Sequence, residues 1–208
     1  MADLVGASAS PGRGSGMRAL EVTVIAHGDV VPWRHPARRE LQFGEWLRRV
    51  TEAGIVEPPR VDRDLAILLT KTRQHGVALV ARPANVLFEP VPARDFVAAL
   101  LAIVAQWQAE PGWRGDACSV VHALARIWYS AATGGIAPKD VAATSGAGAL
   151  AGRAPAGCSG CACCLSRWRS ARGDPAGEPL AEFIDYARRT VESMPSRWHR
   201  RRRCTLTV

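Results

Sequence analysis

The sequence predicts an α+β protein, in which a fragment of β-sheet leads into a mainly α-helical bundle. The segment from Leu20 to Ala26 is rich in β-branched residues and predicts a strand. On that strand, Glu21, Thr23 and Ile25 would share one face, because side chains alternate between the two faces of a strand. Downstream of Pro36, apolar residues recur at helical spacing, which predicts the bundle.

Five helices are predicted downstream of Pro36. Glycine or proline residues that end helices follow the first, second, third and last of them, at Gly76, Pro111, Gly134 and Pro195. The fourth helix would begin near Lys139, with Pro138 in its first turn. The other four helices are predicted from apolar residues at helical spacing within Val61–Leu69, Phe96–Trp107, Ala117–Ala131 and Leu180–Val191. Residues 1–17, rich in Gly, Ser and Ala, are expected to be a flexible lead-in.

The net charge of +8 raises the question of a nucleic-acid partner. Residues 153–203 contain eleven arginines and five acidic residues, a balance of +6, which leaves only +2 for the rest of the chain. We therefore expect no specific nucleic-acid partner. The apolar run that ends at Ala105 is far shorter than the ~20 residues of a membrane-spanning helix. Because the N-terminus also lacks the pattern of a signal peptide, a cytoplasmic monomer without a membrane partner is expected.

Residues 144–177 differ in composition from the rest of the chain. They are rich in Ala, Gly, Ser and Arg, show neither the helical nor the strand period, and include Cys158, Cys161, Cys163 and Cys164. No second well-spaced cysteine pair accompanies the first, which argues against a zinc site. One hypothesis is that this irregular segment derives from a shifted reading frame, restored near Glu178. A zinc- or nucleic-acid-binding protein built on the cysteines and the arginine-rich tail is an alternative.

Two runs are the most distinctive in the chain: Glu-Leu-Gln-Phe-Gly-Glu-Trp at 40–46 and Ile-Ala-Pro-Lys-Asp at 136–140. Together with the stretches 20–24, 30–33, 64–71 and 126–131, they resemble the streptomycin/spectinomycin adenylyltransferases, a group of aminoglycoside adenylyltransferases. The resemblance runs from about residue 8 to residue 143 without a gap and returns at about 178–192.

The resemblance implies an enzyme that moves AMP from ATP to a hydroxyl of an aminoglycoside or aminocyclitol antibiotic. ATP would be a substrate, and Mg²⁺ would be needed on the phosphates. Residues 1–33 would be a remnant of the nucleotidyltransferase domain, and residues 34–143 the helical drug-binding domain. Residues 144–177 would be irregular, and residues 178–208 would form the last helix and a basic tail.

Members of this group hold their metals with an Asp-x-Asp pair on a strand that follows a Gly-Ser loop. No such acidic strand occurs between Gly14-Ser15 and Glu21, so we expect the metal-binding segment to be missing. Asp62 and Asp64 lie in a stretch that is helical in the family. Carboxylates at a helix start explain them better than metal ligation does, and no metal ligand is assigned.

Three residues near or along the drug site follow from the resemblance. Glu21 matches the catalytic carboxylate that takes the proton from the substrate hydroxyl; the alternative is a solvent-facing glutamate. Trp46 matches a tryptophan that lies against streptomycin, where an aromatic face attracts a cation by about 0.5–2 kcal/mol; the alternative is a core tryptophan. Trp107 would either line the drug site or belong to the core.

The resemblance also implies two charged residues that contact the substrates. Asp116 matches an acidic residue that faces the drug and accepts charge-assisted hydrogen bonds; it could also cap the helix that begins at Ala117. Lys139 matches the lysine that meets the ATP phosphates. Its alternative is a surface lysine in the first turn of a helix, a position that the helix dipole slightly disfavours.

The leading hypothesis is therefore an aminoglycoside O-nucleotidyltransferase that acts on streptomycin or spectinomycin. We expect it to be impaired as it stands, because nothing in the sequence would hold magnesium. The main alternative is a non-catalytic remnant that at most binds drug.

Overall fold

The computed structural model describes residues 2–8, 19–107, 117–138, 141–142 and 178–193. In this part of the chain two small antiparallel sheets precede the longer helices, which confirms the α+β class. The strands are β1 (Val22–Val24) paired with β3 (Leu41–Phe43), and β2 (Arg38–Arg39) paired with β4 (Arg60–Val61). The helices are α1 (Ala2–Ala7), α2 (His27–Val30), α3 (Arg48–Glu52), α4 (Leu65–His75), α5 (Ala84–Leu87), α6 (Ala93–Val104), α7 (Ala117–Thr133) and α8 (Glu178–Ser193), with 3-10 turns at Glu45–Leu47 and Ala105–Trp107.

The predicted first strand is present but shorter than expected. It spans Val22–Val24, so that Glu21 immediately precedes it. It ends before Ala26 because that residue begins the next element: the Asp29 amide donates to the Ala26 carbonyl (3.0 Å) in the first turn of α2.

Three expectations for the N-terminal third were wrong. The chain downstream of Pro36 is not wholly helical, since β2, β3 and β4 lie there; strands of two or three residues are too short to show a period-2 pattern. Val61, assigned to a helical stripe, lies in β4 with 58% of its surface exposed, and α4 begins only at Leu65. Residues 2–7 of the expected flexible lead-in form α1.

The main core lies between α6, α7 and α8. It confirms the predicted stripes of α6 and α7, whereas of the α8 stripe the structure describes only the side chain of Val191. Its buried residues come from all three helices: Phe96, Leu100, Val104, Val120, Leu124, Ile127, Ala131 and Val191. Helix α7 ends where Gly134 adopts a positive φ of 73°, a conformation that glycine takes without a Cβ penalty. The Gly134 amide donates to the Ser130 carbonyl (2.8 Å) and closes the last turn.

A second core joins the strand region to the helices. It is formed by Val30, Ala37, Leu65 and Leu69. Trp33 packs against it and is held by two acidic side chains: its indole Nε1 donates to Asp95 Oδ2 and its backbone amide to Glu89 Oε2, both at 3.0 Å. The sheet fragment is thereby fixed to α4 and α6.

Several predicted features lie outside the described residues: Lys139, the segment 144–177 with its cysteines, and the basic tail after residue 193. Val141 and Ala142 are helical, and the Ala142 amide donates to the Pro138 carbonyl (3.0 Å), as expected for a helix with Pro138 in its first turn. None of the described helices combines the length and the apolar character needed to cross a membrane.

Candidate functional site

The turn that follows β3 presents Trp46 at the surface. The backbone leaves the strand in an extended conformation at Gly44 and then enters the 3-10 turn Glu45–Leu47, whose first bond runs from the Leu47 amide to the Gly44 carbonyl (2.9 Å). Trp46 occupies the middle of this turn with 59% of its surface exposed. The indole is therefore accessible to a ligand, and the alternative of a core tryptophan does not hold for Trp46.

The indole of Trp46 folds back over Gly44. A Cβ added at Gly44 would lie 2.7 Å from the indole Cε3, and closer still to Cζ3 and Cη2. The ring therefore lies directly against the backbone of a buried residue, while more than half of the side chain stays exposed. This contact joins residues two positions apart, and the sequence analysis did not single out Gly44; the Gly-x-Trp spacing was the available signal.

Glu21 immediately precedes β1 and lies at the Gly44 end of the β1–β3 pair. Val22 is opposite Phe43, and continuing the antiparallel pairing by one residue sets Glu21 opposite Gly44. Residues directly opposite in an antiparallel pair point their side chains to the same face. Extended in this way, the register would put the exposed side chain of Glu21 on the face where the Trp46 indole covers Gly44.

The turn is braced by a carboxylate–guanidinium pair. Glu45 accepts two hydrogen bonds from Arg48, at 2.7 Å from Nε and 2.8 Å from Nη2, and a further one from the Ser8 hydroxyl. Arg48 also donates to the carbonyls of Val5 (3.0 Å) and Ser8 (2.8 Å), which ties α1 to the turn. The Arg48 and Ser8 hydrogen bonds lower the pKa of Glu45. Glu45 is therefore engaged in the fold, whereas Glu21 makes no ion pair within the described residues.

The remaining predicted residues are placed as follows. Trp107 is half-buried at the end of the 3-10 turn after α6 and packs against the main core, which matches its structural alternative; a role in drug binding stays a prediction. Asp116 and Lys139 lie outside the described residues. Glu21 and Trp46 lie at the same end of the β1–β3 pair, and both are exposed, which for Glu21 also fits the alternative of a solvent-facing glutamate.

The loop that leads to Lys139 is held by the C-terminal end of α4. Gln74 Oε1 accepts from the Ile136 amide (3.0 Å), and Gln74 Nε2 donates to the Gly134 carbonyl (3.2 Å). His75 Nε2 lies 2.9 Å from the Ile136 carbonyl. We call these three contacts the α4 clasp; they fix the backbone three residues before Lys139.

The described residues do not fit a divalent cation. Among them, no group of three or more His, Cys, Asp and Glu side chains is arranged to hold a metal ion. The carboxylate of Asp62 forms a salt bridge with Arg39 (3.0 Å) and accepts a hydrogen bond from the backbone amide of Asp64 (2.9 Å). Asp64 lies at the start of α4. Asp62 is therefore engaged in holding the fold, and the position of Asp64 at a helix start is the one expected from the sequence.

The fold resembles that of a solved antibiotic-modifying enzyme. The crystal structure of spectinomycin adenyltransferase AAD(9) from Enterococcus faecialis with ATP and spectinomycin matches with a TM-score of 0.69, over 89% of this chain and 73% of that one. At 24% sequence identity the match shows the shared fold alone. The class of fold is thus that of this adenyltransferase: a small sheet region followed by a helical domain.

Other known proteins are more similar to this chain in sequence than that solved structure is. The chain is 57% identical over 141 residues to an aminoglycoside (3'') (9) adenylyltransferase of Klebsiella pneumoniae, covering 68% of this chain and 54% of the relative. It is 39% identical over 132 residues to a spectinomycin 9-adenylyltransferase of Staphylococcus aureus, covering 64% and 50%. The chain therefore spans about half the length of the curated relatives it matches.

The family follows from a match that covers half of the chain. The sequence model described as "Aminoglycoside adenylyltransferase, C-terminal domain" matches residues 86–189. The chain belongs to this family.

Proposed function

We propose that the chain is part of an aminoglycoside adenylyltransferase that transfers AMP from ATP to a hydroxyl of streptomycin or spectinomycin. The observation that supports the proposal is that Glu21 and Trp46 are both exposed and lie at the same end of the β1–β3 pair. An exposed carboxylate and an exposed indole at one end of a sheet suit a polyhydroxylated, cationic drug: the ring attracts the cation and the carboxylate accepts a hydroxyl proton.

In the proposed reaction, the drug hydroxyl attacks the α-phosphorus of ATP. An O–P bond forms to the drug, the bond to the leaving pyrophosphate breaks, and Glu21 takes the hydroxyl proton. Trp46 holds the drug so that the hydroxyl stays near Glu21, a positional effect that lowers the entropy cost of the step. Lys139 would neutralise phosphate charge from the helical side, Asp116 would accept hydrogen bonds from the drug cations, and Trp107 is a second candidate for the drug surface.

The assignment of segments belongs to the same proposal. Residues 1–33 supply the strand that brings Glu21 to the site, and residues 34–143 supply the drug-binding surface. The cytoplasmic monomer expected from the sequence is part of the same proposal. Mg²⁺ is a family requirement that the described residues do not meet, since they hold no metal-binding group.

We expect the 208 residues by themselves to bind drug and to transfer AMP poorly or not at all. The test is a radiolabelled AMP-transfer assay on this chain and on the same chain joined behind the N-terminal segment of the Klebsiella pneumoniae relative. Activity is expected only in the joined protein, and Glu21→Gln in that protein should lower kcat by about 10²–10⁴-fold, the usual loss for a general base. A joined protein that keeps its rate with Glu21→Gln would refute the role of Glu21, and turnover by the unjoined chain would refute the expected impairment.

A further inference from the structure

We propose that Gly44 is a positioning residue for drug binding: because it lacks a Cβ, it lets the indole of Trp46 pack against the backbone at the end of β3, at the same end of the β1–β3 pair as Glu21. The inference rests on the proposed function, since it assigns the drug surface to Trp46. It adds a residue that touches no substrate itself and acts through its neighbour.

The backbone at Gly44 does not require glycine. Its φ of −166° and ψ of 169° are ordinary extended values that any residue adopts. What requires glycine is the space above it, where the indole takes the position that a Cβ would need. A methyl group at Gly44 would overlap the ring carbons, because van der Waals contact between carbons lies at about 3.5–4.0 Å.

The overlap can be relieved only by moving the indole. The backbone around it is held by the Leu47–Gly44 hydrogen bond and by the Glu45–Arg48 pair on the next residue. The outer side of Trp46 is open, with 59% of its surface exposed, so the ring can swing into solvent at little cost to the fold. A side chain at Gly44 should therefore leave the protein folded and remove the indole from the end of the β1–β3 pair where Glu21 lies.

Other glycines offer a matched control. Gly28 lies in α2, and a Cβ added there meets nothing within 4 Å. Gly28→Ala and Gly44→Ala are the same chemical change at an open and at an obstructed position. Trp46→Ala removes the obstruction, which allows a double-mutant cycle with Gly44→Ala.

The experiment is a calorimetric titration of streptomycin into the full chain, its single variants G28A, G44A and W46A, and the double variant G44A/W46A. We expect W46A to weaken binding by about 2- to 30-fold, the range of a cation–π contact. G44A should weaken it by a factor in the same range, and the double variant no more than W46A alone. G28A should bind like the parent chain.

A second readout follows the indole directly. The chain has seven tryptophans, so the acrylamide quenching of Trp46 is taken as the difference between each protein and its W46A counterpart. G44A should raise this quenching while the melting temperature stays near that of the parent chain. A purely structural role for Gly44 would instead lower the melting temperature and weaken binding equally with and without Trp46.

The outcomes separate the two claims. If W46A weakens binding and G44A does not, the role of Gly44 is overturned and the proposed function stands. If G44A weakens binding further in the W46A background, Gly44 acts through something other than Trp46, which also overturns the inference. If the parent chain binds neither streptomycin nor spectinomycin, the proposed function fails; unchanged quenching of Trp46 in G44A would then overturn the positioning claim as well.

Discussion

The guanidinium of Arg39, in β2, is a buried charge that pairs with one carboxylate before β4 and one after it. Its side chain is only 3% exposed, and it pairs with Glu57 (2.6 Å) and Asp62 (3.0 Å) and donates to Gln42. A buried charge is tolerated only when its donors are satisfied, because removing it from water is costly. Arg39 thus explains why Asp62 belongs to the fold and is unavailable to a metal.

Replacing Asp62 tests this account at the level of one residue. Asp62→Asn should lower the free energy of unfolding by about 1–3 kcal/mol, because it removes the charge from a hydrogen bond to a buried guanidinium. The matched control is Glu40→Gln, which breaks the exposed pair with Arg38 (3.6 Å) and should change stability by less than about 0.5 kcal/mol. Urea denaturation measures both. Equal effects would show that Arg39 does not depend on Asp62.

Replacing Asp64 should change the free energy of unfolding in the opposite direction from replacing Asp62. Loss of hydration at its carboxyl and the nearby charge of Asp62 raise the pKa of Asp64, while Arg39 opposes the shift. The folded protein therefore binds this proton more tightly than the unfolded chain does, and stability falls as pH rises from about 3.9, the ordinary value for Asp, through the raised pKa. Asp64→Asn should be more stable than the parent chain at pH 7, with the gain shrinking toward pH 4. A gain that is absent or independent of pH would contradict this.

At the scale of elements, the three contacts of the α4 clasp hold the loop after α7 against the end of α4. Gln74 makes one bond as acceptor and one as donor to the loop after α7, and so connects α4 with the segment that carries Lys139. The clasp joins two elements about sixty residues apart in sequence, a separation that local patterns do not reveal.

Hydrogen exchange can test the clasp without any activity. Gln74→Leu should speed exchange of the Ile136 amide by about 5- to 10-fold, since it removes a hydrogen bond worth about 1 kcal/mol. Gln74→Glu keeps the acceptor for that amide and should retain most of the protection, although it loses the bond to the Gly134 carbonyl. If both variants exchange like the parent chain, the clasp does not hold the loop.

At the scale of the whole molecule, the helical half could be predicted and the strand half only in part. The stripes of α6 and α7 bury Leu100 and Leu124 because a long amphipathic period leaves a strong signal. Strands β2 to β4 leave none, and the β1–β3 pairing, which brings Glu21 and Gly44 to the same end of the sheet, joins residues some twenty positions apart. Similarity to known enzymes indicated Glu21 and Trp46 as site residues; the contact that sets the tryptophan in place appears only in three dimensions.

The central claim is that this chain carries a drug-binding surface in which Trp46 binds and Glu21 performs chemistry. Calorimetric titration of streptomycin into the parent chain, Trp46→Ala and Glu21→Gln tests it most directly. The account predicts binding by the parent chain, binding weaker by about 2- to 30-fold for Trp46→Ala, and binding within about 2-fold of the parent for Glu21→Gln. Absence of binding by the parent chain, or equal affinity with and without the indole, would contradict it.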